Sequence, residues 1–293
     1  MGITDIKTVC VVGGGLMGRQ IALNTAIHGF NAVLTDVSPE VLEKADFWAR
    51  EYMDERVAKG RITRNEAEIF LSRFHLESSL HKAASQAQLV IEAIIEEKKI
   101  KADFFKKLNT IIPLDTIVAT NSSYMVSSMF KDCLDNPSRL ANLHYFNPAL
   151  VLKLTEVVQG EHTADETAST LMDFSRKTGK TPILLKKEVD GFVVNRILRA
   201  LKDEAFWLVT EGVCTPQEVD LGVELGLSHP MGPFRLNDLT GIDLTYHLYE
   251  RRYQETGIKP SGYDIIKEKY EAREWGRKTG KGFYSYDDPA TRV

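Results

Sequence analysis

Cysteine, long apolar runs and an excess of one charge are all scarce in this chain of 293 residues, and each scarcity excludes something. The only cysteines are Cys10, Cys133 and Cys214. They are scattered and share no metal-ligand spacing, so neither a disulfide framework nor a bound metal is expected, and the thiols read as reduced groups in a cytoplasmic protein. No apolar run reaches the ~18 residues that a membrane helix needs. Lys and Arg number 37 against 41 Asp and Glu, a formal net charge of -4. That balance gives no reason to expect nucleic acid or an anionic membrane as a partner. The opening Met1–Ile6 has no basic n-region, and Ile6 stands where a myristoylation signal needs Ser or Thr, so neither a signal peptide nor an acyl anchor is expected. Internal repeats and low-complexity tracts are absent as well.

What is present is a globular composition, 43% hydrophobic and 27% charged. At roughly 150 residues per domain, the length suggests two domains. The first half alternates short apolar runs with amphipathic stretches. Strands are expected at Thr8–Val12, Asn31–Thr35, Leu89–Ile95, Ile117–Thr120, Leu140–His144 and Leu154–Val158. Helices are expected at Met17–His28, Ile100–Ile111 and Ala164–Thr178. This alternation predicts an α/β domain with a doubly wound, mostly parallel Rossmann-like sheet over residues 1–187. Two charged helical stretches, Pro39–Lys59 and Arg64–Phe74, interrupt it, with Thr63 placed to cap the second. They predict a projecting helical hairpin over about 39–76, either a solvated excursion or a functional insertion. From 188 to 293 the pattern is helical, with a long helix expected over Gly191–Gly212 and no β-alternation before Gly282–Tyr286. This all-α C-terminal domain is rich in apolar residues, among them Ile197, Leu201 and Trp207, which predicts burial of part of them in a homodimer interface.

Gly13-Gly14-Gly15-Leu16-Met17-Gly18 fits G-x-G-x-x-G between a strand and a helix. Gly13 permits the tight turn, Gly15 lets a pyrophosphate approach the backbone, and Gly18 lets helix and strand pack closely. Amides at the helix start, around Leu16 and Met17, would hold the phosphates. Asp36, ending the second strand, is placed to bond both ribose hydroxyls and to repel a 2′-phosphate, so NAD is the expected cofactor. Gln20 is bulky for this part of the helix but can point outward. The stretch Gly276–Gly282 has the spacing G-x-x-x-G-K, one residue short of a nucleoside-triphosphate loop, and is not read as one. Hydride transfer needs a base, and His144 closes a strand with Glu156 on the next. A carboxylate can orient an imidazole and stabilise its charged form, but the spacing alone leaves open whether the two meet.

Taken together, Gly13–Gly18 with Asp36, Thr120-Asn121-Ser122-Ser123, His144–Pro148, Gly191–Arg196, His229–Pro233 and Lys278–Tyr284 resemble the L-3-hydroxyacyl-CoA dehydrogenases, including the short-chain 3-hydroxybutyryl-CoA dehydrogenases, over about residues 6–287. The resemblance implies that His144 is the general acid/base and that Glu156 orients it. It also implies that Ser123 and Asn195 bond the reacting oxygen. Asp36, Glu96, Lys101, Asn147 and Lys278 match NAD contacts of the family. The hairpin would cover the coenzyme A moiety, through residues near Tyr52 and through Lys59. The sequence departs from its relatives at Tyr124 and Met125, where Ser and Leu are usual, and at Tyr52 and Glu55 in the hairpin. These departures keep a second reading open, a related dehydrogenase acting on a hydroxy acid or hydroxymethyl compound without coenzyme A. A third is a dinucleotide-binding structural protein of the lens-crystallin kind, against which the intact His144, Glu156 and Asn195 speak.

Overall fold

The computed structural model describes residues 2–286; the last residue of the resemblance, 287, and the rest of the C-terminal segment lie outside the described residues. The chain divides into two compact units, Met1–Val193 and Val194–Val293.

The first unit is built on one eight-stranded sheet. Its strands are β1 (Thr8–Val12), β2 (Asn31–Thr35), β3 (Phe74–Leu76), β4 (Leu89–Glu92), β5 (Ile117–Thr120), β6 (Leu140–Tyr145), β7 (Leu154–Val158) and β8 (Thr181–Leu185). The spatial order is β3-β2-β1-β4-β5-β6-β7-β8, and every pairing is parallel except β6 with β7. The order reverses between β1 and β4, and a crevice outside the strand ends at such a switch point is where open α/β sheets bind ligands. Helices α1 (Leu16–Ile27), α2 (Pro39–Ala58), α3 (Arg64–Leu71), α4 (Leu80–Ala84), α5 (Lys98–Asn109) and α6 (Asp165–Lys177) connect the strands.

Side chains alternate across a strand, so a sheet covered on both faces needs apolar residues at every position. Val9 and Val11 enter one core cluster, with Leu89, Ile91, Ile117 and Ala119. Cys10 and Val12 enter the other, with Val90 and Val118. The continuous apolar runs of β1, β4 and β5 follow from this double burial.

The helical hairpin forms where it is expected. Pro39 starts α2 behind the Ser38 cap, and Thr63 and Glu66 form a capping box at α3. Its inner stripe, Leu42, Ala45, Ala49 and Met53 with Ala67 of α3, is buried in the same cluster as the first face of the sheet. Two strands were not expected. Phe74, read as the end of the hairpin, opens β3, which pairs with Ala32–Leu34 of β2. β8 contains Pro182, which cannot donate to a ladder; β8 lies at the sheet edge, where proline is tolerated.

The second unit contains α7 (Val194–Thr210), α8 (Pro216–Gly226), α9 (Pro233–Thr240), α10 (Ile242–Thr256) and α11 (Tyr263–Glu271). The expected helix at Gly191 starts three residues later, because Gly191 and Phe192 have φ of 73° and 51°. Proline opens α8 and α9, and Asp220 accepts the Phe234 and Arg235 amides at 2.8 and 2.9 Å, satisfying the start of α9. Phe206, Phe234, Tyr249, Tyr263 and Ile266 form the core. Past α11 the described residues hold isolated bridges, Gly276 with Lys281 and Lys281 with Ser285. A Cβ at Gly282 would come within 2.1 Å of the Asp238 carboxylate, which accepts the Phe283 and Tyr284 amides. Gly276, with φ 92°, would place a Cβ 2.2 Å from the Asp238 carbonyl oxygen, and Gly280 has φ 82°, so backbone conformation and close packing account for the phosphate-loop-like spacing.

Candidate active site

At the switch point, β1 ends in Gly13 with φ 103°, where a Cβ would lie 2.6 Å from the Ala93 carbonyl oxygen. A Cβ on Gly18 would fall 1.7 Å from the Gly13 carbonyl oxygen. No atom lies within 4 Å of the corresponding point at Gly15. The open Gly15 and an α1 start without a side-chain cap form a cradle suited to an anion. Leu16 is exposed beside it. Asp36 accepts the Gly14 amide at 2.7 Å and the Ser38 amide at 2.9 Å, which fixes its carboxylate next to the turn. These residues fit a dinucleotide: an open backbone cradle for pyrophosphate and an acid for the ribose. Gln20 does not point outward. It is buried, donating to the Leu16 carbonyl at 3.1 Å and to Asn147 Oδ1 at 3.4 Å and accepting the Leu150 amide at 3.4 Å. It links α1 to the loop carrying Asn147, whose side chain is thereby drawn toward the start of α1.

Three further expected residues, Glu96, Lys101 and Ser123, join Met17, Asn121, Ser122 and Tyr124 around a cavity of about 290 Å³. A residue not singled out from the sequence organises this region. Glu92, the last residue of β4, is fully buried. It accepts Lys101 Nζ at 2.6 Å, the Ile94 amide at 2.8 Å and Thr120 Oγ1 at 2.7 Å. Lys101, itself 1% exposed, lies 3.1 Å from Glu96 on its other side. Ser122 Oγ donates to Glu96 as well. Burial pushes the Glu96 carboxyl up, but the Lys101 ammonium and the bonds from Ser122, Lys101 and Tyr124 outweigh it and hold the group below its ordinary range. The signal in the sequence was a carboxylate closing the apolar run Leu89-Val90-Ile91, where a strand buried on both faces must pair it.

The second cluster of the unit lies at the end of β6. His144 and Glu156 are directly opposite in the antiparallel β6–β7 pair, which is how a separation of twelve residues brings them together. His144 Nδ1 is 2.9 Å from Glu156 Oε2, and Nε2 is 3.0 Å from Ser123 Oγ. A carboxylate partner fixes the proton on Nδ1, leaving the Nε2 lone pair for the serine hydroxyl or for a hydroxyl bound beside it. Glu156 is fully buried and its Oε1 accepts the Val193 amide at 3.0 Å. That bond needs the left-handed turn at Phe192, a conformation costing about 1 kcal/mol or more for a residue with a Cβ. The same turn sets the Phe192 ring 5.5 Å from the imidazole, with the Phe146 ring at 4.6 Å on another side. The imidazole is thus oriented by a carboxylate, walled by two aromatic rings and bonded to Ser123.

The remaining expected residues lie elsewhere. Asn195 is half-buried in the first turn of α7, and Lys278 pairs with Asp243; both belong to the second unit. On the hairpin, Tyr52 stacks on Trp48 at 5.7 Å, and Lys59 is bonded to Glu55.

Two family models cover the chain: "3-hydroxyacyl-CoA dehydrogenase, NAD binding domain" matches residues 8–189, and "3-hydroxyacyl-CoA dehydrogenase, C-terminal domain" matches 191–286. The chain belongs to the 3-hydroxyacyl-CoA dehydrogenase family. It is an NAD-dependent oxidoreductase acting on CH–OH. A probable 3-hydroxybutyryl-CoA dehydrogenase of Bacillus subtilis is 35% identical over 97% of this chain and 99% of its own length. The crystal structure of (S)-3-hydroxybutyryl-CoA dehydrogenase from Ralstonia eutropha superposes with a TM-score of 0.88 at 33% identity, covering 97% of this chain and 100% of that one. A structure described as a diketoreductase acting on dicarbonyl compounds has a TM-score of 0.87 at 29% identity, covering 98% and 100%. Among the described residues, no helix is long and apolar enough to cross a membrane.

Proposed function

We propose that this enzyme catalyses the reversible oxidation of a short-chain L-3-hydroxyacyl-CoA, with 3-hydroxybutyryl-CoA as the simplest case, to the 3-ketoacyl-CoA. The observation that carries the reading is the Ser123–His144–Glu156 chain, with both imidazole nitrogens engaged. NAD, when bound, supplies the hydride acceptor for oxidation and the donor for reduction. In oxidation His144 Nε2 takes the proton of the substrate hydroxyl; in reduction it returns that proton to the ketone oxygen. Glu156 holds the ring in the required tautomer and stabilises the imidazolium. Ser123 and Asn195 donate to the reacting oxygen as it gains charge. Gly13, Gly15, Leu16, Met17, Gly18, Asp36, Glu96, Lys101, Asn147 and Lys278 bind the cofactor, and the hairpin covers coenzyme A through Tyr52 and Lys59. Protein and substrate meet in the cytoplasm, a reading supported by three free cysteines. The protein is a homodimer joined through its helical unit, where Ile197, Trp207, Leu221 and Leu225 are 46–76% exposed.

The test is NADH consumption by the purified protein with acetoacetyl-CoA, run beside free acetoacetate, with NADPH as control. Fast turnover of the thioester with NADH alone is expected. One observation favours a CoA-free substrate: Glu55 neutralises Lys59 on the hairpin. Turnover of acetoacetate exceeding that of the thioester would establish that second reading and refute the first.

A further inference from the structure

The helical unit contains a buried junction with more hydrogen-bond donors than acceptors. Asn237, in α9, is fully buried. Its Oδ1 accepts both Lys202 Nζ of α7, at 3.0 Å, and Thr245 Oγ1 of α10. Two donors on one oxygen fix which way the amide faces, and its Nδ2 is left buried with no partner. An amide nitrogen carries two N–H donors and an ammonium three. Four N–H groups at this junction therefore have no acceptor on the protein: both on Asn237, which are buried, and two on Lys202, which is half-buried.

Charge is unmatched as well. Lys202 makes no ion pair among the described residues, and three carboxylates of the same helices are engaged with other groups. Asp203 binds Arg252 at 3.0 and 2.7 Å, Asp243 binds Lys278, and Asp238 holds the Phe283 and Tyr284 amides. Burial of the ammonium without a counter-ion pushes Lys202 down from the usual 10.5 to about 8. The side chain is nevertheless only partly buried, so it can be reached from outside. Buried donors left unmatched are costly, and a carboxylate, with two oxygens and a negative charge, is the small group that matches both deficits.

We infer that the junction of α7, α9 and α10 binds a carboxylate through Lys202 and Asn237, and that this carboxylate is the far end of the substrate's acyl chain. The second half of the inference rests on the proposed reaction, in which Asn195 contacts the reacting oxygen. Lys202 follows Asn195 by seven residues on one helix, which places the two backbone positions on one face about 10 Å apart along the axis. In a six-carbon chain, the C3 oxygen and the terminal carboxyl carbon are about 5 Å apart at ordinary bond lengths. One hydrogen bond of about 3 Å at each end brings the span to about 11 Å. A chain ending in a methyl group would leave the four donors unmatched. The substrate class is therefore a 3-hydroxyacyl-CoA with a terminal carboxylate.

The experiment compares 3-oxoadipyl-CoA with 3-oxohexanoyl-CoA, equal in chain length and differing in the terminal group, as substrates for NADH oxidation. Wild-type kcat/KM is expected to favour the carboxylated thioester by ~30-fold or more, as charged hydrogen bonds allow. In Lys202→Met and Asn237→Leu the ratio is expected to collapse toward one. A wild-type ratio at or below one overturns the inference, whatever the variants do. A preference that survives in Lys202→Met overturns the assignment of the residue. Stimulation of 3-oxohexanoyl-CoA turnover by free adipate would make the junction an effector site and overturn the substrate reading. Failure of both thioesters would instead count against the proposed reaction. Calorimetric titration with adipate then still decides the junction: binding lost in Lys202→Met supports a carboxylate site, and no binding to the wild type overturns it.

Discussion

In the sheet unit, Glu92, Lys101 and Glu156 are sealed from solvent and each has its partners in place. In the helical unit, Asn237 is as deeply buried with its amide N–H groups unpartnered, and Lys202 faces no carboxylate. The difference lies in when each region becomes complete. Folding alone completes the hydrogen bonds around Ser123 and His144, so this part of the site is organised before any ligand arrives, which keeps the reorganisation cost of the reaction small. The helical junction has the donors of a binding site without its acceptor. A buried polar network that is only partly satisfied is costly unless something else completes it.

Four measurements would break or sharpen this contrast. The largest effect is expected from His144→Gln. Turnover should fall by ~2 to 4 orders of magnitude, the usual worth of a general acid/base, while NADH binding measured by fluorescence persists. Turnover retained at the wild-type level would refute the base assignment. Glu92→Leu comes next. It leaves buried Lys101 with Glu96 alone and removes the acceptor of the Ile94 amide and Thr120 Oγ1, and breaking a buried pair costs about 3–5 kcal/mol. Calorimetry should show a melting temperature lower by ~10 °C, at roughly 2–4 °C per kcal/mol for a unit of this size. An unchanged melting temperature would mean that the sheet unit is no better satisfied than the helical one.

Asp36→Ala is smaller. Losing the ribose contact should weaken NADH about tenfold, near 1.4 kcal/mol, and reduce discrimination against NADPH, both read from binding titrations. Smallest is the pH dependence tied to Lys202. Its folded value, about 8, is below the usual 10.5, so the unfolded chain binds more protons between these values. Stability from this group therefore rises as pH increases from 8 toward 10.5. Urea unfolding at pH 8 and pH 10 should show Lys202→Met gaining relative to wild type at the lower pH and losing that advantage at the higher. An equal difference at both would mean that the ammonium is already compensated.

Much of the site could be read from local pattern. The run Thr8–Val12 followed by Gly13–Gly18 prescribes strand, tight turn and helix within a dozen residues. Asp36 follows at the end of the next apolar run, and Thr63 with Glu66 announces a helix start. Other features resisted such reading. β3 has three residues and no period to detect, and β8 carries Pro182, which argues against a strand unless the edge position is known. Gln20 could have faced outward because Arg19, Gln20, Asn24 and Thr25 put polar groups on several sides of α1, so its spacing could not say which face the Asn147 loop would cover. Glu92 was hidden in an apolar run, and its partners Lys101 and Thr120 come from separate elements.

By itself, then, the sequence determined six of the eight strands, the helical hairpin and the strand–turn–helix around Gly13–Gly18, because period, caps and turn chemistry act over a few residues. It also held His144 and Glu156 at twelve residues' separation. Only the tertiary structure decided that this separation meant contact, through the antiparallel register of β6 and β7. It alone brought Lys202, Asn237 and Thr245 together from three helices. Side-chain encounters across elements are set by register and packing over the whole core, and no spacing shorter than the fold itself encodes them.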